Sequence, residues 1–149
     1  MYVLLLFLLF RYFNWKKALF TLFIAALLIT FTDQFVNLIK NTVGRLRPCS
    51  DPSLQDFIRI LKNSGGYSFI SGHSTNSFAV STFMILTLRK HFKPIYFVLI
   101  WPLLFAYSRI YVGVHFPLDI FSGMFVGIGI GYAFYFFSNL IHEKKAHLT

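Results

Sequence analysis

The chain has 149 residues, the length of one domain, and 56% of them are hydrophobic, including 20 phenylalanines. Only 13% are charged and the mean hydropathy is +0.64, which exceeds the apolar share of an ordinary soluble domain and is typical of a membrane protein. A net charge of +9 would suggest nucleic acid in a soluble protein. Here the basic residues flank apolar segments, so we expect the lipid bilayer, anionic headgroups and phosphate as partners, and no nucleic acid.

The N-terminal segment Met1–Phe10 is apolar but shorter than the roughly 20 residues that a membrane-spanning helix needs. It has neither a basic start nor a small-residue cleavage site, so a signal peptide is not indicated. We interpret it as part of a membrane helix. A basic cytoplasmic loop then completes residues 1–17.

Four longer apolar segments follow, and each is expected to be a helix in the membrane: Ala18–Ile39, Ser74–Leu88, Pro94–Val112 and Pro117–Ile141. Pro102 should kink the third of them, because proline removes a helix hydrogen bond. Glycines at positions 123, 127, 129 and 131 should let the last helix approach its neighbours closely. The loop between the first two segments is polar, and a short surface helix is expected in it around Leu54–Lys62.

Three short motifs place charges and histidines at the ends of apolar segments. They are Lys40–Pro48 (KNTVGRLRP), Ser71–Ser74 (SGHS) and Ser108–Asp119 (SRIYVGVHFPLD). The first two belong to a loop of residues 40–72 and the third covers residues 108–119. Ionisable groups are costly beside lipid, so their clustering predicts a functional site.

The residue types in these motifs suit the binding of a phosphate group. Lys40, Arg47 and Arg109 can neutralise phosphate oxygens, the arginines by bidentate contact. The Ser71 hydroxyl and the Gly72 amide lie where a loop enters a helix, and helix N-termini bind anions readily. These residues therefore predict phosphate binding without a metal.

His115 and Asp119 lie four residues apart, and Pro117 between them fits the first turn of a helix. A carboxylate that accepts a hydrogen bond from one imidazole nitrogen fixes the tautomer and makes the other nitrogen more nucleophilic. A zinc site formed by His73, His115 and Asp119 is an alternative. The nearby cations oppose a divalent metal, so we expect none.

The pattern K-x6-RP, SGH and SR-x5-H-x3-D, in this order, resembles the type 2 phosphatidic acid phosphatase (PAP2) family of integral membrane lipid phosphatases. One position departs from the family pattern, since Ile70 stands where the family usually has proline. The resemblance implies a single all-α domain over residues 1–149, a bundle of about five membrane helices with a short first one. Family members commonly have six such helices, so we expect the N-terminal part of the family domain to be missing.

The resemblance also assigns roles to residues. His115 would attack phosphorus and form a phosphohistidine, Asp119 would orient and activate it, and His73 would protonate the leaving oxygen. The phosphate would be bound by Lys40, Arg47, Ser71, Gly72 and Arg109. The implied activity is metal-independent hydrolysis of a phosphate or diphosphate on a membrane lipid, with no cofactor.

The distribution of basic residues predicts the orientation in the membrane. Three clusters fall on one side if each apolar segment crosses once: Arg11, Lys16 and Lys17; Arg89, Lys90 and Lys93; and Lys144 and Lys145. The positive-inside rule makes that side cytoplasmic. All three motifs then meet at the periplasmic or exterior face, and we expect a bacterial inner membrane.

An outward-facing site favours undecaprenyl diphosphate as the substrate, while phosphatidylglycerol phosphate, phosphatidic acid and the 1-phosphate of lipid A remain open. A non-enzymatic lipid-binding or transport protein is the alternative of another class, and transfer of phosphate to a second lipid is an alternative reaction. Asp33, inside the first long apolar segment, could line the substrate cleft, pair with a basic residue or cap a helix break, and we favour a structural role. The pattern does not specify an oligomer.

Overall fold

The computed structural model describes residues 1–54 and 64–146, with side chains through residue 141. Five α-helices form this part of the chain: α1 (Tyr2–Tyr12), α2 (Trp15–Val43), α3 (Gly72–Leu88), α4 (Ile100–Tyr111) and α5 (Pro117–Ala146). Short 3-10 helices lie at Pro48–Ser50, Pro52–Leu54 and Lys93–Leu99. The predicted all-α bundle with a short first helix is confirmed. The surface helix expected around Leu54–Lys62 falls, beyond Leu54, outside the described residues.

Helix α2 extends past both ends of its apolar segment because polar caps set its limits. The Asn14 side chain accepts a hydrogen bond from the Lys17 amide at 2.9 Å. Gly44 ends the helix with a φ of 64°, a left-handed conformation that glycine adopts without strain. Lys40 therefore lies on the last turn of α2, and the loop that was expected to begin at residue 40 begins after Val43.

The helix around Pro102 differs from the expected single kinked helix. Residues Lys93–Leu99 form a 3-10 helix, and the α-helical part begins only at Ile100. Pro102 is the third residue of α4, within the first turn, where backbone amides have no partner inside the helix. The proline thus costs α4 little, and the helix changes from 3-10 to α type just before it.

Helix α3 lies at the centre of the bundle and packs most extensively against α5. Three glycines on one face of α5 allow this contact. A Cβ at Gly123 would come within 2.8 Å of the Ser71 carbonyl oxygen, and Cβ atoms at Gly127 and Gly131 would collide with the carbonyl oxygens of Thr75 and Ala79. Gly129 faces open space, so the close approach depends on the other three.

The outer surface of the bundle is apolar. In the described residues, three helical segments are long and apolar enough to cross a bilayer: Trp15–Val43, Lys93–Tyr111 and Pro117–Ile141. Large side chains such as Phe23, Leu103 and Phe125 point outward, as lipid-facing residues do. The protein is therefore an integral membrane protein.

The two ends of the bundle differ in chemistry. Lys17 at the start of α2 and Lys90 after α3 line the same cavity, together with Asn139 of α5. At this end the Phe13 and His91 rings are also in contact, with centroids 5.0 Å apart. The three motifs lie at the opposite end of the helices, so Lys17 and Lys90 are separated from the candidate site.

Replacing Gly127 with alanine should destabilise the fold, because the new methyl group would collide with the Thr75 backbone. Overpacking of this kind costs about 1–3 kcal/mol, so the thermal unfolding midpoint in detergent should fall. Gly129→Ala is the matched control and should leave the midpoint unchanged. Equal midpoints for the two variants would contradict the close α3–α5 contact.

Candidate active site

Asp119 is the centre of the site, buried in the first turn of α5. Its carboxylate accepts hydrogen bonds from the Phe116 amide at 2.9 Å, the Arg45 guanidinium at 3.1 Å and the Ser68 hydroxyl. Its backbone carbonyl accepts from the Ser71 amide at 3.1 Å. One residue thus connects all three motif regions.

His115 lies in the loop before α5 and is only 3% exposed. Its Nδ1 is 3.6 Å from the Asp119 carboxylate and 3.4 Å from the Ser68 hydroxyl oxygen. Its Nε2 is 3.3 Å from Nη1 of Arg47. A guanidinium can only donate, so Nε2 is the unprotonated nitrogen and the ring proton lies on Nδ1, towards Ser68 and Asp119.

Arg47 is held in place by backbone groups of two different loops. Its Nε donates to the Gly65 carbonyl at 3.0 Å, and Nη1 donates to the Val114 carbonyl at 3.1 Å. The Cys49 amide also donates to the Gly113 carbonyl at 3.1 Å. These contacts tie the first motif to the third and fix the guanidinium beside Nε2 of His115.

The surroundings of His115 lower its pKa from the ordinary value. Burial is the main cause, since it disfavours the charged imidazolium. A hydrogen-bonding contribution from Asp119 acts in the opposite direction, while the positive charges of Arg47 and Lys40 lower the pKa further. His115 is therefore neutral near pH 7, the state in which a ring nitrogen can attack an electrophile.

His73, Gly72 and Lys40 line a groove of about 460 Å³ beside this cluster. The His73 ring lies 5.4 Å from the Phe105 ring, centroid to centroid. The same Phe105 ring also contacts Arg109, whose guanidinium carbon lies 4.6 Å from the ring centroid. Arg109 thus contacts the site's edge through Phe105.

Ser71 is buried and caps helix α3, accepting a hydrogen bond from the Ser74 amide at 3.4 Å. The amides of Gly72 and His73 follow in the first helical turn, where backbone N–H groups have no partner within the helix. The sequence predicted phosphate donors at this position. The structure adds that the Ser71 side chain also fixes the start of the helix.

Sequence reasoning missed two residues of this site, Arg45 and Ser68. Arg45 is one of the unassigned positions inside the first motif. Besides its contact with Asp119, its guanidinium carbon lies 4.0 Å from the Phe116 ring centroid. Ser68 is three residues before Ser71 and fully buried. A serine in a loop carries no signal of its own, so only the tertiary contact with Asp119 identifies it. In the described residues no group of three or more His, Cys, Asp or Glu side chains could hold a metal ion.

The sequence profile of the PAP2 superfamily matches residues 17–142. The chain belongs to the PAP2 superfamily. It also resembles the crystal structure of a transmembrane PAP2-type phosphatidylglycerolphosphate phosphatase from Bacillus subtilis, with a TM-score of 0.67 and 27% sequence identity. That match covers 95% of this chain and 67% of the other, so it supports the PAP2 fold over almost all of the present helices.

Among proteins of named activity, this PAP2 chain is 37% identical to a lipid A 4'-phosphatase of Bacteroides thetaiotaomicron, over 99% of this chain and 66% of that protein. A lipid A 4'-phosphatase of Porphyromonas gingivalis is 36% identical over 80% of this chain and 52% of that protein. An undecaprenyl-diphosphatase of Bacillus subtilis is 37% identical over 55% of this chain and 41% of that protein. The chain thus spans from 41% to 66% of the length of these relatives.

The His115 ring should titrate below the ordinary imidazole pKa of about 6.5, because burial and two neighbouring cations disfavour its protonation. Arg47→Gln should raise this pKa, since it removes one of the positive charges. Nuclear magnetic resonance of ring-15N-labelled histidines would measure both values, with His115→Ala assigning the signal. Arg89→Gln, at the opposite end of the bundle, is the matched control. A pKa at or above 6.5, or no response to Arg47→Gln, would contradict the described surroundings.

Proposed function

We propose that this protein hydrolyses a phosphate ester on a membrane lipid, with His115 as the nucleophile. The observation that carries the proposal is the arrangement around the His115 ring. Nε2 is unprotonated and faces the Arg47 guanidinium, while Nδ1 faces Ser68 and Asp119. This combination provides an activated nucleophile next to a fixed cation that suits phosphate oxygens.

In the first step, Nε2 of His115 forms a bond to phosphorus and the bond from phosphorus to the lipid oxygen breaks. Charge on the equatorial oxygens is stabilised by Arg47, with Lys40, Arg109 and the amides of Gly72 and His73 as further donors. The positive charge that develops on the His115 ring is stabilised by Asp119 through Nδ1. His73, which enters this step in its protonated form, donates a proton to the leaving lipid oxygen.

In the second step, water attacks the phosphohistidine, and His73, now neutral, takes the proton from that water. Inorganic phosphate leaves and His115 regains its lone pair on Nε2. Each proton that His73 gives in the first step is thereby recovered in the second. The cycle consumes one water molecule and needs no redox partner.

We propose lipid A as the first candidate substrate. The relatives that align with 99% and 80% of this chain are named lipid A 4'-phosphatases. Undecaprenyl diphosphate, which the outward orientation favours, is the second candidate, because the relative of that name aligns with 55% of the chain. Phosphatidylglycerol phosphate is a third, supported by a phosphatidylglycerophosphatase that is 32% identical over 68% of the chain.

The proposed orientation places the basic end of the bundle in the cytoplasm, by the positive-inside rule. The site then faces the periplasm or exterior of a bacterial inner membrane. A lipid in the outer leaflet can bring its phosphate to His115 while its acyl chains stay in the bilayer. Non-enzymatic lipid binding is the alternative of another class, and only turnover distinguishes it from hydrolysis.

His115→Ala should abolish phosphate release while lipid binding persists, because the variant loses the attacking nitrogen and keeps the cations. The assay measures inorganic phosphate released from lipid A, undecaprenyl diphosphate, phosphatidylglycerol phosphate and phosphatidic acid in detergent. EDTA should leave the wild-type rate unchanged, and vanadate should inhibit it as a mimic of pentacoordinate phosphorus. Turnover by His115→Ala, or loss of activity in EDTA that a divalent ion restores, would refute the mechanism.

Ser68→Ala should lower kcat by about 10- to 100-fold, since an unsatisfied buried polar group costs about 1–3 kcal/mol. The Ser68 hydroxyl lies between Nδ1 of His115 and the Asp119 carboxylate, so we treat it as a positioning residue. KM should change little, and the acid side of the pH–rate profile should shift.

Ser81→Ala is the matched control for this test. Ser81 is equally buried, on α3, and its hydroxyl has no hydrogen-bond partner in the described residues. The control should keep wild-type kcat and pH dependence. If both serine variants behave alike, Ser68 has only a structural role.

A further inference from the structure

A row of polar side chains leads from the site into the apolar part of the bundle. On α2, Asp33, Asn37 and Lys40 follow one another at spacings of four and three residues, which places them on one helix face. On α3, His73 and Asn76 are three residues apart and face the same groove. Polar groups at this depth are costly next to lipid and mark substrate pathways.

The groove of about 460 Å³ has two chemically different walls. One wall is the polar row of α2 and α3, which ends at Asp33. The other is aromatic, with the Trp101 and Phe105 rings of α4 nearly parallel and 6.3 Å apart, centroid to centroid. Asp33 lies seven residues before Lys40, about 10 Å along the helix axis. The groove therefore extends well beyond Lys40 and the proposed phosphate position.

Asn76 lines this groove and carries a side-chain acceptor without a partner among the described residues. Its amide nitrogen donates to the Asp33 carboxylate. A carboxylate can only accept, so Asp33 fixes the amide with its oxygen turned away. That Oδ1 is buried and has no hydrogen-bond partner among the described residues, although buried polar atoms are normally paired.

We propose that this groove binds the sugar portion of a saccharide lipid phosphate, with Asn76 and Asp33 accepting hydrogen bonds from its hydroxyl or amide N–H groups. The aromatic wall of Trp101 and Phe105 would cover the apolar face of a sugar ring. This inference rests on the proposed function, because it assumes that the phosphate lies at His115.

The chemistry of the groove separates two classes of substrate. A sugar next to the phosphate supplies donors for the Asn76 oxygen and the Asp33 carboxylate. A polyprenyl diphosphate presents a second phosphate, whose oxygens are acceptors, and then hydrocarbon, so it supplies no donor for the Asn76 oxygen, which costs affinity relative to a sugar. Asp33 and Asn76 are therefore specificity-determining residues in this proposal, which gives Asp33 the cleft-lining role that the sequence left open.

The test compares binding of lipid A and of undecaprenyl diphosphate to the His115→Ala protein in detergent, with and without Asn76→Leu. Leucine has a similar size, fits a membrane helix and removes both polar atoms. Asp33→Asn serves as a second variant, because it frees the Asn76 amide to rotate. Asn139→Leu, at the basic end of the bundle, is the matched control, and gel filtration checks the fold of each protein.

Asn76→Leu should weaken lipid A binding about tenfold and change undecaprenyl diphosphate binding less than twofold. Asp33→Asn should act in the same direction, and Asn139→Leu should change neither. Equal losses for both lipids, no loss for lipid A, or no lipid A binding at all would overturn the saccharide subsite. Phosphate release by the wild type is measured separately. If no lipid releases phosphate, the proposed hydrolase activity is refuted, while the binding comparison still tests the saccharide subsite.

Discussion

The site depends on the hydrogen bonds that the buried carboxylate of Asp119 accepts. It accepts hydrogen bonds from Arg45, Ser68 and the Phe116 amide, while its own carbonyl accepts from Ser71. A buried carboxylate is costly unless its oxygens are paired. Satisfying it brings together segments that are 74 residues apart in sequence. His115, four residues before Asp119, is oriented by the same network.

Close backbone packing of α3 against α5 makes that network geometrically available. Gly123 places the start of α5 against the Ser71 carbonyl, and the Ser71 amide in turn reaches the Asp119 carbonyl. A side chain at Gly123 would separate the two helix ends. The glycines that permit close packing in the membrane interior thus also set the position of the segment that carries His115 and Asp119.

The bundle concentrates its polar groups at one end and along one groove. Outward surfaces are apolar, so lipid covers them at no cost, whereas the charged and histidine side chains of the three motifs are gathered at the site and its groove. The positive charges of Arg47 and Lys40 beside His115 help to keep its ring neutral by lowering its pKa. The polar row continues to Asp33 and Asn76. In our proposal these two residues distinguish lipid headgroups, whereas the reaction takes place at His115.

Several features followed from the sequence alone. Hydropathy located the helices, and motif spacing selected His73, His115 and Asp119. The glycine spacing predicted close helix packing. Each of these features depends on residues that lie near one another in the chain. The ends of α2 and the start of α3 differ from the limits predicted by hydropathy, because Asn14, Gly44 and Ser71 cap these helices. Only the tertiary structure decided the roles of Arg45, Ser68 and Asn76. Their importance arises from contacts with residues distant in sequence, and an arginine, a serine or an asparagine acquires such a role only when folding buries it beside its partner.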